Sequence, residues 1–116
     1  MTNWTAITKT ELQEKINESE KALSDEPLIF WQLIRVNPIK WSEKEYGVEG
    51  DGFWVVGILG TKVVWYNDIE EGFNFSSYIT YGQIDDYSAN QYELNELIIQ
   101  ILDLMKLGTL RDGNQQ

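Results

Sequence analysis

The chain has 116 residues, 42% of them hydrophobic, with nine basic and 19 acidic residues, no His and no Cys. That length and apolar content suit one folded domain rather than a disordered chain, and the missing His and Cys exclude imidazole bases, thiolate nucleophiles, disulfides and His/Cys zinc sites. The formal net charge of −10 is unevenly placed: residues 63–105 hold eight acids and no Lys or Arg, a stretch that repels phosphate backbones and attracts cationic partners.

The start, "MTNWTAITKTELQEK", lacks a basic segment followed by an apolar run, so no secretory signal is expected. No stretch approaches the ~20 apolar residues of a membrane span. A cytoplasmic protein is the expectation, with neither membrane nor nucleic acid among its partners. Thr10 to Leu23 reads as a helix. Both "TKTE" (8–11) and "TELQ" (10–13) fit the capping box, and Leu12, Ile16, Ser19 and Leu23 form a narrow stripe. "SDEP" (24–27) ends it, because Pro27 pushes Glu26 towards an extended shape.

"LIFWQLIRV" (28–36), rich in β-branched and aromatic residues between two prolines, reads as a covered strand. Residues 37–52 read as a long connection carrying Trp41. "FWVVGILG" and "TKVVWYN" then meet at Gly60-Thr61, and Gly at the first central position is what a two-residue type II′ hairpin requires. One or two short strands follow within 73–87. "NDIEEGF" (67–73) reads as a loop closed by a left-handed Gly72, with Ile69 inward and Asp68, Glu70 and Glu71 in solvent. The last helix starts at an Asn90–Glu93 box and repeats Leu94, Leu97, Ile98, Ile101, Leu102 and Met105 on one face, with Gly108 as its stop. The order predicts an α+β fold. It is a curved antiparallel sheet of three to five strands, with an N-terminal and a C-terminal helix packed on one face. One domain covers 1–116, with a frayed tail at 110–116.

Chemistry is limited to carboxylates, Lys and Tyr. Asp85 and Asp86 are adjacent, so in an extended chain they point to opposite faces. Asp68 with Glu70, or Glu49 with Asp51, shares a face suited to a hard cation such as Ca²⁺, but neither fits an EF-hand loop and both sit in turn-like sequence. Turn chemistry outweighs a metal at both, and no nucleotide cradle is present. No cofactor and no resident metal are expected, and an enzyme is not the expectation.

Ten of the chain's fifteen aromatic residues lie between Phe53 and Tyr92. Trp65 and Tyr66 must face opposite sides of a strand, so one set meets the helices. The other set is covered by the 37–52 connection with Trp41 as plug, or meets a partner.

The run 53–94, preceded by "NPIKW" (37–41), carries a "WYND" strand end (65–68), an "EEGFN" loop (70–74) and an "NQYEL" helix start (90–94). It resembles a set of small acidic bacterial proteins of uncharacterised activity, some of which are similar to immunity proteins that accompany secreted polymorphic toxins. The resemblance implies a toxin-neutralising role; the acidic 63–105 segment, the aromatics and the missing catalytic motifs make the expectation a non-enzymatic module that binds a basic, nuclease-like toxin. Its expected contact residues are Trp65, Tyr66, Asp68, Glu70, Glu71, Phe73, Tyr81, Asp85 and Asp86. Two alternatives stay open. One is a small-molecule pocket between sheet and connection, lined by Trp41, Trp54 and Tyr78. The other is a homodimer formed through the free aromatic face. A plain solvated acidic surface is the simplest reading of the charge.

Overall fold

The computed structural model describes residues 4–48 and 51–108. The elements run α1 (Lys9–Ala22), α2 (Asp25–Ile34), β1 (Arg35–Trp41), β2 (Phe53–Leu59), β3 (Lys62–Asn67), β4 (Gly72–Ser77) and α3 (Leu94–Lys106). The strands pair antiparallel in the order β1-β2-β3-β4, an open α+β meander. The tail at 110–116 lies outside the described residues.

Helix α1 starts where one of the two capping boxes places it. Thr8 Oγ1 accepts from the Glu11 N–H, and Glu11 accepts from the Thr8 N–H. A two-residue joint, Leu23-Ser24, leads directly into α2. The expected strand over 28–36 is therefore a correction: residues 25–34 are helical, and the chain turns extended only at Arg35. Pro27 sits in the first turn, where its missing N–H has no intrahelical partner to lose. Phe30, Trp31 and Ile34 then bury one face while Ile29 and Leu33 stay exposed. Glu20 of α1 ties the helices together, accepting from Trp31 Nε1 at 2.7 Å and pairing with Arg35.

Strands β2 and β3 meet at Leu59↔Lys62 through Gly60-Thr61, and Gly60 has φ 61 as the II′ reading requires. A bulge between Val55 and Gly57 puts the successive residues Val56 and Gly57 on the helix side together. A Cβ on Gly57 would crowd the Trp31 ring at 3.1 Å, so the bulge and the close seating of α2 depend on each other. On the helix side, Val56, Val64, Tyr66 and Phe73 pack on Leu12, Ile16, Trp31, Leu94, Ile98 and Ile101. Burying each such side chain contributes roughly 1.5–3 kcal/mol.

The other sheet face is also covered. Trp41, Phe53, Val55, Val63 and Trp65 meet Ile84, Tyr78 and Tyr87. Of the expected strands in 73–87, only β4 forms. Residues 78–92 instead fold back over this face, pinned by buried side-chain amides. Asn67 Nδ2 donates to Tyr87 Oη and to the Ser88 carbonyl. Asn74 donates to the Asn90 carbonyl and accepts from the Asn90 N–H and Ser88 Oγ. The 42–52 connection adds Tyr46 against Tyr87, with ring centroids 4.3 Å apart. Trp41 is thus the expected plug, although it ends β1 and the main cover comes from further along the chain. Helix α3 begins with Glu96 accepting from the Glu93 N–H, one turn later than the Asn90 box, because Asn90 is held by Asn74. Lys106 closes the helix layer on Glu26 of α2 at 2.6 Å.

Candidate functional site

The turn from β3 to β4 builds one end of the site. Asn67 Oδ1 accepts the N–H groups of Ile69 and Glu70, an Asx arrangement that reverses the chain. The left-handed residue is Glu71, at φ 61, rather than Gly72. Gly72 is required for another reason: a side chain there would collide with the backbone of Asn90 and Gln91. The same tight turn swings Asp68 inward instead of into solvent. It is only 7% exposed, and its Oδ2 accepts the Ile7 N–H at 2.8 Å. Its Oδ1 is buried without a hydrogen-bond partner. Burial pushes the Asp68 carboxyl above its ordinary pKa, against the opposing effects of the Ile7 N–H, its own backbone N–H and the Lys40 charge.

Asp68 lines a groove of about 600 Å³ between the N-terminal segment, α1 and the sheet end. Thr5, Ala6 and Ile7 form one wall. Helix α1 supplies Glu11, Glu14, Lys15 and Glu18, which the i, i+3, i+4, i+7 spacing puts on one face. Tyr66, Glu71 and Glu93 complete it, giving six carboxylates against one ammonium. Tyr66 is almost fully buried, and burial, reinforced by Glu71, Asp68, Glu93 and Glu11, pushes its hydroxyl up to about 12. The Lys15 ammonium stands 5.7 Å from the Tyr66 ring centroid, within cation–π range. Among the described residues, no three acidic side chains gather closely enough to hold a metal ion. Strung along a groove, the acids suit an extended or organic cation.

The nine expected contact residues fall in four places. Tyr66, Asp68 and Glu71 meet at the groove. Trp65 and Phe73 are core side chains on opposite sheet faces and are corrected here, because both faces are covered. Trp65 is further tied down by its Nε1 donating to Ser76 Oγ at 2.8 Å. Tyr66 also belongs to the helix-side core and is almost fully buried. Glu70 is half-buried beside the turn, its carbonyl accepting from Gln91. Tyr81, Asp85 and Asp86 lie away from the groove, in the segment covering the other face. Tyr81 is 66% exposed and leans on Trp41. Asp85 is occupied locally, accepting from the Ile79 N–H and from Gln83.

A second cavity of about 440 Å³ lies between the sheet and the 42–52 connection, lined by Trp41, Lys40, Glu43, Lys44 and Gln83 among others. Trp41 Nε1 is buried there without a hydrogen-bond partner. Tyr78 packs edge-on against the Trp41 ring. Trp54, expected in the same pocket, is on the helix side of the sheet, where Lys40 stands over it. Of the two carboxylate pairs, Asp68 and Glu70 are split by burial, and Glu49 lies outside the described residues.

No protein-family model, curated protein or solved structure matches the chain. The functional reading therefore rests on the geometry. Sequence reading missed Glu11, Glu14, Lys15, Glu18 and Glu93. The helical spacing of the first four was visible, but the approach of α1 to the 68–71 turn is tertiary.

Proposed function

We propose that the chain is a non-enzymatic binding module for a basic protein, and that the groove between α1 and the 68–71 turn is where that partner docks. The observation that carries this is the concentration of six carboxylates around one recess with Tyr66 and Asp68 at its base. Such a field raises the encounter rate with a cationic surface and makes it salt-sensitive. The proposal keeps the expected partner class and moves the contact surface away from Trp65 and Phe73, which packing removes from reach. Neutralisation of a nuclease-like toxin is one use of such a surface, since an enzyme that grips phosphate presents a positive cleft.

Glu14 and Glu18 are exposed on α1 and stand outside its capping box, so their charge can be reversed without disturbing the helix start. Bacterial lysate passed over immobilised native chain at low salt should yield a basic protein that elutes as salt rises. The Glu14→Lys/Glu18→Lys chain should retain little of it. Equal recovery by both chains contradicts the proposal.

A second reading is favoured by Trp41 Nε1, an unpaired buried donor at the second cavity. A small molecule with an acceptor group fits there, and a thermal-shift screen of such compounds against native and Trp41→Phe chains tests it. Stabilisation that survives the substitution counts against that cavity.

A further inference from the structure

The acidic groove contains one group whose chemistry differs from the rest. Glu11, Glu14, Glu18, Glu71 and Glu93 are exposed carboxylates. Asp68 is nine-tenths buried, and one of its oxygens has no hydrogen-bond partner. A buried charged oxygen without a partner is costly to the fold, and such atoms call for a specific explanation.

Resting on the basic-partner reading, we propose that the groove seats one primary ammonium group, a lysine side chain of the partner, against Asp68 Oδ1, with the Tyr66 ring beside it. The choice of ammonium over guanidinium follows from the oxygens. Asp68 Oδ2 is taken by the Ile7 N–H, which leaves a single acceptor. An arginine fork needs both carboxylate oxygens in parallel, whereas an ammonium is a point donor and needs one. The ring is already used in this way, since the Lys15 ammonium stands 5.7 Å from its centroid. Lys15 occupies the ring in the free chain and an incoming lysine competes with it there, while the cation whose field already reaches Asp68 is Lys40. The carboxylates of α1 draw the cation in, and Asp68 fixes its place.

The test is a titration of the full chain at neutral pH and low salt, followed by ¹H–¹⁵N correlation spectra. The probes are Nα-acetyl-lysine amide, Nα-acetyl-arginine amide and the uncharged Nα-acetyl-norleucine amide. The lysine probe should give saturable shifts at the amides of Ile7, Tyr66, Asp68 and Glu71, the arginine probe weaker ones, and the norleucine probe none. Asp68→Asn, which keeps an acceptor for Ile7, should weaken lysine binding about tenfold or more while the spectrum stays folded. Lys15→Ala should tighten it about threefold by removing the resident competitor. Undiminished binding in Asp68→Asn, weaker binding in Lys15→Ala, or a preference for arginine overturns the seat. The two readings fail separately. If the lysine probe does not bind but capture of a basic protein still depends on Glu14 and Glu18, the ammonium seat is wrong and the acidic surface stands. If the probe binds at Asp68 but capture ignores Glu14 and Glu18, the seat stands without the wider docking surface.

Discussion

Asp68 and Asn74 show two opposite uses of a buried polar side chain. Asn74 is fully buried and fully employed, joining Gly72, Ser88 and Asn90 through both ends of its amide. Asn74→Ala leaves those backbone groups unpaired and should cost about 2–4 kcal/mol in urea unfolding, with proteolysis appearing first in 87–92. A loss well under 1 kcal/mol would mean that the covering segment is held by something else. Asp68 opposes the fold instead. Its folded-state pKa lies above the ordinary 3.8, so the folded chain binds that proton more tightly than the unfolded chain does. The associated stability is present below the ordinary value and is lost as pH rises through the raised one. Asp68→Asn should therefore gain on the native chain in thermal melts as pH climbs from the ordinary carboxylate value through the raised one. An advantage that shrinks with rising pH contradicts this. A substitution that stabilises the fold and abolishes cation binding is the expected signature of a residue kept for function.

At the scale of elements, α2 separates composition from periodicity. Its Leu, Ile, Phe and Trp resemble a strand, and Pro27 and Pro38 bracket it like strand boundaries. The buried positions Phe30, Trp31 and Ile34 nevertheless follow helical spacing, and the first-turn proline is compatible with it. Pro27→Ala should accordingly change stability by less than about 0.5 kcal/mol, whereas Gln32→Pro, at an exposed position in the helix, should cost about 3 kcal/mol. Similar costs for the two, measured by urea unfolding, would contradict a helix here. Other elements were legible because a local rule decides them. Gly60-Thr61 fixes a two-residue hairpin, and the Leu94–Leu102 repeat fixes the buried face of α3. The 67–72 turn was legible as a turn but misread by one residue. The need for glycine at position 72 arises from Asn90 and Gln91, far along the chain, and local sequence carries no trace of that contact.

The whole molecule is a four-stranded sheet clad on both faces, by three helices on one and by the 78–92 segment on the other. That arrangement was half legible. The α+β class and the helix-covered face follow from the order of elements. The cover on the second face does not, because 78–92 is irregular and is held by side-chain amides rather than by a strand ladder. The consequence for function is direct: clustered aromatics mark core here, and the accessible chemistry is acidic. The acids come from three separated stretches, residues 11–18, 68–71 and 93, so charge counting along the sequence located only part of the groove. No described helix is long and apolar enough to cross a membrane.

The most direct measurement of the central claim is the association rate of the captured basic protein with the native and Glu14→Lys/Glu18→Lys chains across a range of salt. The account predicts a fast, steeply salt-dependent rate for the native chain and a slower, flatter one for the variant, converging at high salt where screening removes the field. Equal rates with equal salt slopes would show that the groove does not steer the partner, and would contradict the account.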